Sequence, residues 1–162
     1  MQFAPKYKLG WFGQSPELSE AALYIFLDAL VRLDRLIMSK VKVPPLYKSG
    51  VYYQEEPPGQ ENWLNALDLL RTGYGDCEDL AAYRVAELNQ QGIAARPFVK
   101  KPRLVGGGRV LMYHIQVWRP GPPGGRPWIE DPSRILGMGW EQEYARSRSR
   151  RRNARRVHSS VA

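Results

Sequence analysis

One cysteine and two histidines supply all the thiol and imidazole chemistry of this chain of 162 residues. The cysteine, Cys77, sits in the stretch GDCEDLAAYRVAELNQ. His114 lies in VLMYHIQVW, and His158 lies among polar residues close to the C-terminus. If the thiol is a nucleophile, its base within the body of the chain is therefore His114. A catalytic cysteine needs a lowered pKa, partial exposure and a nearby base. Cys77 falls at the predicted first turn of a helix, where the N–H groups and the helix dipole favour a thiolate. The same N–H groups suit a developing oxyanion. Asp76, Glu78 and Asp79 act in the opposite direction, because neighbouring acids raise a thiol pKa. The alternative is a cysteine serving as a small buried hydrophobe, and position alone does not decide between the two.

His114 belongs to a strand-like alternation. Leu111, Tyr113, Ile115 and Val117 fall on one face, and Met112, His114, Gln116 and Trp118 on the other. A strand histidine satisfied by local hydrogen bonds is the competing reading. Asp131, in WIEDPSR, ends a short predicted strand, and Pro132 restricts its backbone. An acid at that point is placed to accept the second ring N–H of His114 and set its tautomer. Asp-Pro is also a common turn signal. Cys/His clusters with ligand spacing are absent, so no metal site is expected, and no cofactor.

Three helices must carry and support these residues. Ser15 or Ser19 can cap the first, which runs to about Lys40 with Ala22, Phe26, Ala29, Leu30, Leu33, Leu36 and Ile37 on a predicted buried face. Pro44 and Pro45 forbid its continuation. Val51–Tyr53 reads as a short extended piece and 55–59 as a turn. A second, short helix presents Trp63, Leu64, Leu67 and Leu70, and Gly73 and Gly75 end it. The third starts at Asp76–Cys77 with Asp76 as N-cap and Asp79 near its third position. Leu80, Ala81, Val85 and Leu88 form its buried side. From Ala94 the period becomes two. Strands are predicted at 94–100, 110–118 and 128–131, joined by Gly106-Gly107-Gly108 and by PGPPGGRP at 120–127. Helices followed by an antiparallel sheet make an α+β order.

Composition bounds the rest. Hydrophobic residues make up 43% and charged residues 25%, an ordinary globular balance. No run approaches a membrane span of roughly 20 apolar residues. The N-terminus lacks a continuous apolar stretch, so no secretory signal is expected, and a lone thiol fits a reducing, cytoplasmic setting. The net charge is +8, but RSRSRRRNARR at 146–156 holds Arg146, Arg148, Arg150, Arg151, Arg152, Arg155 and Arg156 and no acid. The body is thus nearly neutral. A tail of this kind is expected to stay unfolded and suits nucleic-acid phosphates by counterion release, an acidic protein or an anionic membrane surface. The expected organisation is an irregular arm at 1–15, a domain at 16–144 and a basic tail at 145–162.

The ordered blocks resemble one family. GDCEDLAAYRVAELNQQGIAARPFV is similar to the core motif of the transglutaminase-like superfamily: a G-x-C start, an alanine-rich helix, then a Gly-Ile-Pro-Ala-Arg-like segment, here Gly92 to Arg96. YHIQVW resembles its histidine strand, WIEDP its Trp-x-x-Asp-Pro block, and NWLNALDLLRTG the helix before its cysteine. The likeness spans about residues 50–135. The GDCED variant is particularly similar to bacterial and phage transglutaminase-like cysteine proteins, the best understood being peptidases.

This resemblance implies a papain-like α+β fold and a Cys77–His114–Asp131 triad. Cys77 would attack an amide or ester carbonyl and form a thioester. His114 would take the thiol proton and return it to the leaving amine, and Asp131 would orient His114. The oxyanion would rest on the Cys77 backbone N–H and one upstream donor, with Tyr53 first and Gln54 second. The expected activity is that of a cysteine peptidase or amidase on a protein or peptide, with Trp63, Trp118 and the 102–109 loop candidates to shape its pocket. Two alternatives stay open. One is a transglutaminase-type acyltransferase, although no calcium-site acid cluster is evident. The other is a binding or structural module, such as a phage particle component using the basic tail, in host cytoplasm or virion.

Overall fold

The computed structural model describes residues 15–56, 62–105 and 110–139, with side chains except at 16 and 101–112. Most of the expected arm, the 106–108 glycine loop, the seven tail arginines and His158 lie outside these residues, as does the expected 55–59 turn beyond residue 56.

Helix α1 (Pro16–Lys40) starts at Ser15, whose hydroxyl oxygen accepts the Leu18 N–H at 3.3 Å. Pro16 stands in the first turn, where its missing N–H removes no helical bond. The buried face differs from the expected one. Leu27, Leu30, Val31 and Asp34 point inward, while Leu33 is 42% and Leu36 58% exposed. Both helical faces carry apolar residues, and the face that packs is the one that also places Asp34 against the next helix. Helix α2 (Ala66–Thr72) is shorter than expected and starts after Trp63 and Leu64. Asn65 caps it, accepting the Leu67 and Asp68 N–H groups. That start turns Ala66 and Leu69 inward and leaves Leu67 exposed. Gly73 ends α2 at φ 81°, a left-handed conformation that favours glycine.

Helix α3 (Cys77–Gln90) lies at the centre of the fold. Ten of its fourteen residues are buried, so it must pack on several sides. Ala81, Ala82, Val85 and Leu88 meet Leu27, Leu30 and Val31 of α1 and the sheet residues Val99, Ile115 and Val117. Leu80 and Tyr83 pack with Leu46, Val51, Ala66 and Leu69. The run of small alanines lets other elements come close.

The main sheet is antiparallel in the order β3 (Arg96–Val105), β4 (Val110–Arg119), β5 (Trp128–Glu130). A second pairing goes beyond the expected sheet: β1 (Tyr52–Tyr53) runs parallel to β2 (Tyr74–Gly75). It places Tyr53 opposite Gly75, two residues before Cys77. Strand β5 stops at Glu130, and Asp131 instead caps α4 (Pro132–Ile135) by accepting the Arg134 N–H at 3.2 Å. The architecture is α+β. No helix among the described residues is long and apolar enough to cross a membrane.

Candidate active site

Cys77 is the first residue of α3. A capping box shapes the turn beneath it: Asp76 caps the Asp79 N–H, and Asp79 Oδ2 accepts the Asp76 N–H at 3.3 Å. The other oxygen of Asp79 accepts the Leu64 N–H at 2.7 Å. Asp79 is buried, and burial together with the Asp76 charge holds its pKa well above the ordinary value. One buried carboxyl therefore ties the entry to α2 to the start of α3.

Gly75 makes this arrangement possible. A Cβ there would lie 2.5 Å from Leu69 Cδ1 and 2.8 Å from Asp79 Oδ2. Leu69 is fully buried and has nowhere to move. Gly75→Ala is expected to displace the Asp79 carboxyl and destabilise the fold by roughly 1–3 kcal/mol. Thermal melting and the rate of Cys77 alkylation would both register it. A variant with unchanged melting and thiol reactivity would show that the close approach is dispensable.

Strand β4 holds the second candidate. Ile115 and Val117 are buried beneath the helices, so alternation sends His114 and Gln116 to the opposite face, as expected. There His114 Nε2 meets Asp131 Oδ2 at 2.9 Å. Gln116 Nε2 donates to the same oxygen at 2.9 Å. Burial pushes the Asp131 carboxyl up, but the hydrogen bonds from His114 and Gln116 outweigh it and hold the pKa below the ordinary value. Asp131 is thus a carboxylate that only accepts. The ring therefore donates through Nε2 to this carboxylate, which leaves Nδ1 as the ring's acceptor nitrogen.

Glu130 anchors the strand that delivers Asp131. Arg84 Nε lies 2.7 Å from Glu130 Oε1, and its NH1 lies 3.1 Å from Glu87 Oε2. The Tyr47 hydroxyl also donates to Glu130, and Arg119 NH1 lies 3.7 Å from its other oxygen. Burial alone would raise the Glu130 pKa, but Arg84 and Tyr47 bring it below the ordinary value. This network joins α3, β4 and β5 and fixes the chain one residue before Asp131. Local sequence pattern carries no sign of this network, because its partners lie up to 83 residues apart.

Cys77 comes to the same part of the molecule. Pairing of β4 with β5 stops at Val117, and the Cys77 sulfur lies against the Ile115 N–H, one residue beyond His114. Burial drives the thiol pKa well up, and the charges of Glu78 and Asp76 add to this; the Ile115 N–H acts against it. The thiol donates to Glu78 Oε2 at 3.4 Å. No hydrogen bond joins it to His114 among the described residues. The structure therefore brings His114 and Asp131 into direct contact and sets the Cys77 sulfur against the backbone of the next strand residue, Ile115, with its hydrogen bond going to Glu78.

Of the two upstream donors, Tyr53 reaches the site. Its hydroxyl pKa is raised first by burial and then by the Cys77 charge, with the acids Glu55, Asp76 and Glu78 contributing. Tyr53 therefore stays a neutral donor. Gln54 does not join it: its residue is exposed, its side-chain oxygen lies 3.4 Å from the Tyr52 hydroxyl, and its backbone N–H serves the Gly75 carbonyl. Neighbouring positions of an extended strand face opposite ways, so only one could point to the thiol. The Cys77 backbone N–H, at the open end of α3, finds no backbone carbonyl among the described residues, as first-turn N–H groups of a helix commonly do.

Asp76, Cys77 and Glu78 also offer three donor atoms within 4.8 Å of one another. They are consecutive residues of one helical turn and include no histidine, so the cluster carries no metal assignment. Comparison of the chain with protein-family models, curated proteins and solved structures gives no match.

Proposed function

We propose that the protein is a thiol-dependent acyl hydrolase, a cysteine peptidase or amidase on a papain-like, transglutaminase-like fold. The observation that carries this reading is the His114–Asp131 bond of 2.9 Å beside a cysteine on a helix N-terminus. In the reaction, His114 Nδ1 takes the Cys77 proton, and the sulfur attacks an amide or ester carbonyl. The tetrahedral oxyanion rests on the Cys77 N–H and the Tyr53 hydroxyl. Collapse gives a thioester as the imidazolium protonates the leaving amine. Water, activated by the same imidazole, releases the acid.

The test is labelling by a broad thiol-reactive acyl probe. Wild type should label, Cys77→Ala should not, and His114→Ala should label far more slowly. Equal rates for wild type and His114→Ala would refute an activated thiolate. Adding a labelled primary amine then separates the acceptors, since hydrolysis excludes amine from the product and transamidation incorporates it.

A further inference from the structure

Cys77 and Glu78 are adjacent in sequence, and adjacent helical residues normally diverge. Here their side chains meet at 3.4 Å. Glu78 is only 6% exposed, so its carboxylate is held against the sulfur and not swung into water. Asp76 adds a second acid on the same turn of α3. From the β1 side the thiol is faced by Tyr53, with Glu55 near that hydroxyl; from β4 it is faced by the Ile115 N–H, with His114 one residue before. The charges closest to the sulfur are thus negative, and the group that receives its proton in a hydrogen bond is a carboxylate.

We propose that Glu78 is a positioning residue that keeps the Cys77 thiol protonated and engaged away from His114 in the resting site, so that the nucleophile is latent until substrate arrives. A carbonyl entering beside Tyr53 and the Cys77 N–H displaces the sulfur from Glu78. The S–H proton then passes to His114 Nδ1, leaving a thiolate and an imidazolium already paired with Asp131. This rests on Cys77 being the nucleophile, but it makes a separate prediction about the thiol alone.

The experiment is the pH–rate profile of Cys77 alkylation by iodoacetamide in the full chain. Wild type, Glu78→Gln and His114→Ala are compared. Glu78→Gln should move the midpoint down by a unit or more, which makes the variant at least about tenfold faster at neutral pH. A purely structural role for Glu78 would leave the midpoint in place. An unmoved or raised midpoint in folded Glu78→Gln overturns the proposal. Should that variant not fold, Glu78→Asp, which draws the carboxylate back by one methylene, is read by thiolate absorbance. A lowered midpoint supports the proposal and an unmoved one overturns it. Wild type and His114→Ala should give the same resting profile, because the thiol is held away from the imidazole. A midpoint raised in His114→Ala would show the thiol already coupled to the ring and overturn the latency, while the role of His114 as base is decided separately by the acyl-probe labelling.

Discussion

Asp131→Ala is expected to lower acyl-transfer activity on the order of 10³- to 10⁴-fold while the protein still folds. Three donors depend on this carboxylate: the His114 ring, the Gln116 amide and the Arg134 N–H. Without it nothing sets the imidazole tautomer, and the ring loses the charge that stabilises its protonated form. The structural cost is the α4 cap, roughly 1 kcal/mol. Asp131→Asn makes a sharper comparison. Asparagine brings one carbonyl oxygen where aspartate brings two acceptors. That oxygen can face His114 and Gln116, or it can cap Arg134, but it cannot do both. Two donors outweigh one, so the carbonyl should turn to His114. The expected variant keeps the tautomer, loses the negative charge and part of the cap, and falls between wild type and Asp131→Ala in activity. Steady-state kinetics with a thermal melt on each variant checks this. Activity in Asp131→Ala near the wild-type level would remove Asp131 from the mechanism.

Gln116 shows why part of this site could be read in the sequence and part could not. Strand alternation puts it on the His114 face without any coordinates. Its bond to Asp131 needs the register of β4 against β5, which local pattern does not supply. The caps at Ser15 and Asp76 and the start of α3 follow from residue type and spacing, and the structure has them where expected. The buried face of α1 does not follow so simply. Leu18, Ile25, Leu33 and Leu36 satisfy helical spacing yet stay exposed, because apolar residues line α1 on more than one side. What selects the inner face is contact with α2 and α3. The parallel β1–β2 pair was equally hidden. Two residues per strand leave no periodicity to detect, yet this pair delivers Tyr53 to the thiol. Polar groups turned away from water are the largest class of omission. Asp34, Glu87 and Glu130 look like ordinary polar positions in a linear sequence, and each bonds to a residue of another element, to Ala66, Leu46 and Arg84 respectively.

Asp34 carries the second large expectation, and it concerns stability. Its residue is fully buried on α1. Oδ1 accepts the Ala66 N–H at 2.7 Å, tying α1 to the first residue of α2, while Oδ2 finds no hydrogen-bond partner among the described residues. Burial pushes the pKa up to about 7 from an ordinary 3.8, and the Ala66 bond only partly opposes this. A folded pKa above the unfolded one means that the native chain binds the extra proton. Below about pH 4 the acid is neutral in both states and costs nothing. Between that point and about pH 7 the unfolded chain ionises while the folded chain holds its proton, so stability falls as pH rises. Above about 7 the penalty is complete, on the order of 4 kcal/mol at 1.36 kcal/mol per unit. Asp34→Asn keeps the carbonyl acceptor for Ala66 and removes the charge. Its amide leaves a buried N–H group unpaired, a cost of about 1–3 kcal/mol that is independent of pH. The variant should therefore gain on wild type steadily from pH 4 to pH 7 and be the more stable of the two at pH 8. Urea denaturation across that range measures the difference directly. Because Asp131 and Glu130 titrate alike in both proteins, subtraction leaves Asp34 alone. A difference that stays flat with pH would show that Asp34 is ionised in the fold at every pH tested.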